Sequence, residues 1–179
     1  MRALLMWFAE CFAAGGILIC LMLLSCRAPT STISENDLKN AEKVVAHSRS
    51  AIAEEDRVAA DRFFDIGMRA EEQGNNWGAA AKAFGESAVA NPRSRTFVRL
   101  ANAELRMLSV KPGVEKSAIL ASARNYYEVA LALDAANSQL TDDEREVLLR
   151  EVACISAFIG EKVRDGTCHA LQVVLNRAR

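Results

Sequence analysis

The chain has 179 residues, which is enough for one compact domain with a targeting segment but not for a second independent core. Hydrophobic residues make up 51% and aromatic residues only 6%, and with just three prolines the composition favours helices over a β-sheet. The net charge of −1, with basic and acidic residues intermixed along the chain, argues against binding to nucleic acid.

The first 25 residues differ from the rest of the chain. They contain two charged side chains, Arg2 and Glu10, and the stretch 11–25 is continuously apolar or small. This pattern predicts a secretory signal peptide over residues 1–25. An uncleaved membrane anchor is the alternative, because about 20 apolar residues are enough to span a bilayer.

A short motif ends the apolar stretch: the sequence Leu-Leu-Ser-Cys at 23–26. It resembles the lipobox of bacterial lipoproteins, in which the cysteine is lipidated and becomes the first residue of the mature chain. The resemblance implies that Cys26 carries the lipid, that residues 26–33 form a tether, and that the domain lies outside the cytoplasm. Because Arg27 rather than aspartate follows the cysteine, it also implies an outer-membrane lipoprotein that faces the periplasm.

A helix is predicted over residues 34–59. Ser34 can cap its amino terminus, and the acidic residues Glu35 and Asp37 suit the positive end of the helix dipole. The apolar stripe continues with little break to Ile66, so this region is interpreted either as one long helix or as two.

Residues 60–134 carry the most informative pattern, a series of small and large apolar residues over two pairs of helices. Its first copy consists of Phe63, Ile66, Gly67, Ala70, Gly74, Trp77, Ala80, Phe84 and Pro92. The small residues suit a close crossing of two helices, Gly74 suits a turn, and Pro92 ends the second helix. The pattern resembles the tetratricopeptide repeat (TPR), although the turn after Gly74 is one residue longer than usual and Ser87 replaces an alanine.

A second copy follows the first. Ala101 lies after Gly67 at the characteristic repeat period of about 34 residues, and Ala123 and Tyr127 have the internal spacing of its second helix. A loop insertion at 109–116 separates the two helices of this copy. Such an insertion either serves binding or, more simply, is a tolerated surface loop.

Residues 135–179 are predicted to form a degenerate third repeat or a pair of capping helices. Thr141 and Glu144 have the pattern of a capping box, which begins a helix that continues to about Val163. The apolar face of this helix includes Val147 and Leu148. A last helix is predicted from Cys168 to Asn176.

The resemblance implies an all-α fold: a short α-solenoid of TPR-like antiparallel helix pairs behind an N-terminal signal or anchor helix. An unrelated helical bundle is the alternative. In this family, ligands lie along the concave face formed by the first helix of each pair. Carried over by position, that face comprises Asp61, Phe64, Met68 and Glu71 in the first repeat and Arg95, Val98, Asn102 and Leu105 in the second. Phe64 is the best single candidate, unless it packs against the preceding helix instead.

Two cysteines, Cys154 and Cys168, lie in the domain that is predicted to be exported. An oxidising compartment favours a disulfide between them, and two buried thiols are the alternative. The chain has only two histidines, and the neighbouring pair Cys168 and His169 does not have the spacing of a metal site. No metal or other cofactor is therefore expected.

The sequence contains no pattern typical of a catalytic nucleophile, a phosphate-binding loop or a dinucleotide-binding loop. It therefore favours a non-enzymatic cell-envelope adaptor or assembly factor that binds another envelope protein or peptide and no small-molecule substrate. One alternative is an accessory protein or small enzyme of peptidoglycan metabolism, whose only candidate groups are the acidic residues Asp142, Asp143, Glu144 and Glu146. Another is a structural helical bundle with a single membrane anchor.

Overall fold

The structure, a computed structural model, describes residues 33–74, 76–108 and 116–160. It consists of a short 3-10 helix, Glu35–Lys39, followed by six α-helices: α1 (Ala41–Ser48), α2 (Glu54–Glu72), α3 (Trp77–Ala90), α4 (Ser94–Met107), α5 (Lys116–Asn137) and α6 (Asp142–Ile159). No β-strand occurs in these three ranges, and the predicted all-α class is confirmed.

Several predicted features lie outside the described residues. They are the leader at 1–25, Cys26 and its tether up to residue 32, the insertion from 109 to 115, and the chain beyond residue 160, which includes Cys168 and His169. None of the helices in the described ranges is both long enough and apolar enough to cross a bilayer.

The region 34–59, predicted as one helix or as part of two, is divided into shorter pieces. Before the 3-10 helix, Ser34 donates its hydroxyl to the Asp37 carboxylate (2.6 Å) and makes no capping bond to a backbone N–H. The following helix α1 is capped by Asn40, whose side-chain oxygen accepts from a backbone N–H three residues later (3.1 Å). The helix α1 has only eight residues. The next helix, α2, begins at Glu54, ahead of the repeat boundary predicted at residue 60.

The helices α2 and α3 cross closely at Gly67. A Cβ atom at this position would lie 2.5 Å from Cε1 of Phe84, so a larger residue would displace the ring. Gly74, in the turn between the two helices, has a φ of +75°, a conformation that favours glycine. Ser87, which departs from the repeat pattern, donates its hydroxyl to the carbonyl oxygen of Ala60 (2.9 Å) and so joins α3 to α2.

Each helix from α2 to α6 packs against the next helix in the chain. The hydrophobic core lies between these successive helices, and its many alanines allow close approach. Its fully buried members include Ala80, Phe84, Phe97, Ala101, Ala123, Val129 and Leu133. The core is thus continuous along the series of helices.

The N-terminal segment packs on α3 and α5. The 3-10 helix contacts both of these helices, and α1 packs against α5. Ile33, Leu38 and Val44 are its buried side chains, and the last two have no exposed surface. The ammonium group of Lys39 lies 5.6 Å from the ring centroid of Tyr126 on α5. This segment therefore covers apolar surface of α3 and α5.

The turn between α5 and α6 holds the two helices together. Asp134, which is 1% exposed, accepts hydrogen bonds from the backbone N–H of Leu140 (2.6 Å) and from the guanidinium of Arg145 (2.7 Å). The predicted capping box of Thr141 and Glu144 is confirmed, with hydrogen bonds of 2.8 and 3.2 Å. These contacts position α6, which contributes to the site described next.

Candidate functional site

A groove lies between α2, α4 and α6. It consists of two adjoining cavities of about 530 and 800 Å³, volumes typical of ligand-binding sites. The two cavities share six lining residues: Met68, Val98, Arg99, Asn102, Val147 and Leu148. This feature is called the α2–α4–α6 groove.

Seven of the eight residues predicted to bind a partner line this groove. They are Phe64, Met68 and Glu71 of α2 and Arg95, Val98, Asn102 and Leu105 of α4. The eighth residue, Asp61, lines neither cavity, and its carboxylate pairs with Arg93 in the turn before α4 (2.7 Å). The structure therefore brings residues of both predicted repeats to one surface.

Phe64 belongs both to the core and to the groove. Its ring centroid lies 5.4 Å from that of Phe84 on α3, and the guanidinium carbon of Arg93 lies 5.7 Å from it. Phe64 is half-buried, as is its neighbour Phe63. A substitution of Phe64 would consequently disturb the packing of α2 on α3 together with the groove.

Ion pairs join α4 to the helix on either side of it. Arg99 of α4 pairs with Glu71 of α2 (3.0 Å). Arg95 of α4 lies 3.9 Å from Glu144 of α6. Burial raises the pKa of Glu71, although the positive charges of Arg99 and Arg106 oppose the shift. With partners on both sides, α4 forms the floor of the groove and the other two helices form its walls.

Aromatic side chains hold two further lining residues in place. The guanidinium carbon of Arg106 lies 4.8 Å from the ring centroid of Trp77, a distance suited to a cation–π interaction. The hydroxyl of Tyr127 on α5 donates to Oδ1 of Asn102 (2.6 Å). Burial raises the pKa of Tyr127, so its hydroxyl stays protonated and continues to donate this bond. Asn102 therefore has a structural contact beneath the groove.

The acidic residues at the start of α6 make contacts that stabilise this helix. Asp142 and Glu146 each pair with an arginine of the same helix (2.7 and 3.1 Å). A hydrogen bond from the backbone N–H of Thr141 holds the pKa of Glu144 below its usual range, although burial acts in the opposite direction. Such an ionised carboxylate suits ion pairing better than donation of a proton to a substrate.

The third helix of the groove was not among the predicted binding elements. Val147 and Leu148 of α6 line both cavities, and Val147 is 46% exposed. The insertion between α4 and α5 shifts the repeat period, so that binding positions could not be carried over into α6 by counting. The apolar face predicted for α6 was the available signal, since a contiguous apolar surface that no helix covers indicates an interaction surface.

Cys154 on α6 is half-buried and disulfide-bonded. Its bonding partner lies outside the described residues, as does Cys168, and the pairing of these two cysteines stays a prediction. Within the ranges that the structure describes, no three histidine, cysteine or acidic side chains come together as a metal site.

No family model, curated protein or solved structure matches the chain. The geometry of the groove and the pattern of the sequence are therefore the basis for inferring function.

Proposed function

We propose that this protein is a non-enzymatic, lipid-anchored adaptor of the bacterial cell envelope that binds a peptide segment of another protein in the α2–α4–α6 groove. One observation carries the proposal. The residues selected from the TPR-like pattern as a binding face line a single groove, with Asp61 as the exception. Residues distant in sequence would not converge on one open surface if the pattern were only a feature of the core.

The packing of the helices supports a TPR-like arrangement. In repeat proteins each helix contacts mainly its neighbours, and small residues allow paired helices to approach. Here α2 to α6 pack in chain order, with close contact at Gly67 in the first pair and a fully buried Ala101 in the second. We therefore interpret α2–α3 and α4–α5 as two repeats, with α6 as the first helix of a third.

The chemistry of the groove suits a peptide. Four of the six residues shared by the two cavities are apolar, Met68, Val98, Val147 and Leu148, and of the charged lining residues only Arg99 belongs to this shared set. A protein segment can place apolar side chains on these apolar residues and satisfy polar groups at the edges, as in other modes of peptide recognition. The arrangement offers a binding surface, and two of its acidic residues, Glu71 and Glu144, face arginines of α4.

The envelope location rests on the leader and the lipobox-like motif at 23–26. The disulfide bond of Cys154 is consistent with it, because structural disulfides persist in oxidising compartments such as the periplasm. Lipidation of Cys26 would then leave the described domain attached to the membrane by a short tether.

The peptidoglycan enzyme and the purely structural bundle are less favoured. An enzyme would need a carboxyl group whose pKa is raised to donate a proton. Hydrogen bonding lowers the pKa of Glu144, and Glu71, whose pKa burial raises, is held in an ion pair with Arg99. A structural bundle gives no reason for an open groove whose apolar residues come from three helices.

The test compares two exposed apolar residues of the same helix. Val147 is 46% exposed and lines the groove, whereas Leu149 is 53% exposed and lines neither cavity. Full-length protein in detergent is used to select peptides from a random displayed library, and affinities are measured by fluorescence anisotropy. We expect Val147→Asp to weaken binding about tenfold or more, a loss of about 1.4 kcal/mol.

Leu149→Asp is the matched control and is expected to change the affinity less than about twofold, because Leu149 lies on the same helix but lines neither cavity. The free energy of unfolding of both variants, measured with urea, should lie within about 0.5 kcal/mol of the wild-type value. Equal affinities for the wild type and Val147→Asp would show that the groove is not the binding site.

A further inference from the structure

The charged residues of the α2–α4–α6 groove are segregated by helix. All the basic lining residues, Arg95, Arg99 and Arg106, belong to α4. All the acidic lining residues belong to the two walls: Glu71 and Glu72 on α2, and Asp143, Glu144 and Glu151 on α6. The floor is therefore basic and both walls are acidic, in a chain whose net charge is only −1.

The arginines of the floor already have partners within the protein. Arg99 pairs with Glu71, Arg95 lies near Glu144, and Arg106 stacks on Trp77. Two of the three arginines thus face a carboxylate, and with five acidic lining residues against three basic ones the groove has an excess of negative charge along its walls.

Two of the remaining acids lie on opposite walls. Glu72 on α2 and Asp143 on α6 are both exposed, and neither forms an ion pair within the described residues. Between them lies the apolar centre that includes Met68 and Val147. An occupant thus meets apolar surface in the middle and negative charge on both sides.

We propose that the groove binds a cationic amphipathic segment of a partner protein, with a central row of apolar side chains flanked on both sides by lysine or arginine. This inference rests on the proposed function and specifies its ligand. Long basic side chains suit the geometry because their methylene groups can lie on apolar surface while their charged ends reach exposed carboxylates. An acidic segment would instead face like charge on both walls.

The flanking charges set orientation and selectivity more than total affinity. Exposed ion pairs contribute about 0–1 kcal/mol each, whereas complementary charge accelerates association and disfavours partners of the wrong sign. The preference for basic flanks should therefore weaken as the salt concentration rises, because salt screens exposed charges.

The experiment uses three pools of displayed peptides with the same randomised apolar core. The flanking residues are lysine in the first pool, glutamine in the second and glutamate in the third. Each pool is selected on full-length protein in detergent, and enrichment is counted only relative to Val147→Asp, so that non-specific adsorption is removed. We expect lysine-flanked peptides to be enriched about tenfold over glutamate-flanked ones at low salt.

A charge-reversed variant provides the second measurement. Glu72→Lys combined with Asp143→Lys should reverse the preference, because the summed formal charge of the lining residues then changes from −2 (three basic, five acidic) to +2 (five basic, three acidic). The matched control is Glu42→Lys combined with Glu86→Lys, which changes the net charge equally at exposed positions on α1 and α3 outside the groove. This control should retain the preference for lysine.

The outcomes separate the two proposals. Equal enrichment of the three pools, or a preference for glutamate, would overturn the cationic ligand while leaving peptide binding in the groove intact. A preference for lysine that both double variants abolish equally would also overturn it, because the effect would then come from net charge. If no pool is enriched relative to Val147→Asp, the proposed function itself is wrong, and the cationic ligand with it.

Discussion

Apolar side chains are fully buried on one side of the helices and partly exposed on the other. On α3 and α5, the N-terminal segment supplies Leu38 and Val44, which are completely buried. In the α2–α4–α6 groove, Val147 remains 46% exposed among residues from three helices. The same kind of side chain is thus buried in the fold on one side and partly exposed to solvent on the other.

The strongest test of this difference removes one apolar side chain from each side. We expect Leu38→Ala to lower the free energy of unfolding by about 2–5 kcal/mol, because it leaves a cavity in a closed interface. Val147→Ala should change it by less than about 0.5 kcal/mol, because the side chain is already partly solvated. Urea unfolding of both variants gives the two values. A loss below about 1 kcal/mol for Leu38→Ala would show that the N-terminal segment is not part of the cooperative unit.

A smaller effect is expected where α6, one wall of the groove, is joined to α5. Asp134→Ala leaves the backbone N–H of Leu140 and the guanidinium of Arg145 without their acceptor. It should therefore lower the free energy of unfolding by about 1–3 kcal/mol. Glu146→Ala is the control, because it removes only an exposed ion pair on the same helix. Urea unfolding at neutral pH compares them, and equal costs would show that the buried carboxylate does not hold α6.

The same carboxylate gives the wild type a pH dependence at acid pH. Burial opposes ionisation of Asp134, but hydrogen bonds from Leu140 and Arg145 outweigh it and lower its pKa. The stabilisation is present above the pKa of the unfolded chain and is lost as the pH falls through the lower pKa of the folded protein. Asp134→Ala should therefore flatten the acid side of the stability profile.

The smallest change in stability is expected on substitution of Glu104, which lies on α4 but faces the N-terminal segment and α5. Its Oε2 atom is buried without a hydrogen bond. Burial raises its pKa, and the Ser122 hydroxyl and the charge of Lys39 offset this shift only in part. Tyr126, which also lies near Glu104, has a pKa raised by burial to about 12 and stays neutral.

For Glu104 the sign is opposite to that for Asp134. The folded state disfavours the ionised carboxylate, so stability is lost as the pH rises through the raised pKa. Glu104→Gln should be more stable than the wild type at neutral pH, and the difference should shrink below the usual pKa of glutamate. Thermal unfolding at both pH values checks this, with the exposed Glu86→Gln as the control. A stability difference between Glu104→Gln and the wild type that does not change with pH would show that the folded protein does not raise the pKa of Glu104.

Short sequence patterns predicted those features of the fold that depend on neighbouring residues. The helical class follows from composition, the turn at Gly74 from the conformational freedom of glycine, and the start of α6 from the capping box of Thr141 and Glu144. Each depends on residues within a few positions of one another. The break between α1 and α2 had no such signal, because the apolar stripe continues through it.

Composition and residue spacing were enough to predict the helical class, the period of the TPR-like pattern and most residues of α2 and α4 that line the groove. Three features became visible only in the folded protein: Val147 of α6 completes the groove, Asp61 pairs with Arg93, and the N-terminal segment covers α3 and α5. They could not be predicted because periodicity specifies which side of a helix is apolar, whereas the neighbour that covers this side depends on how all the helices pack together.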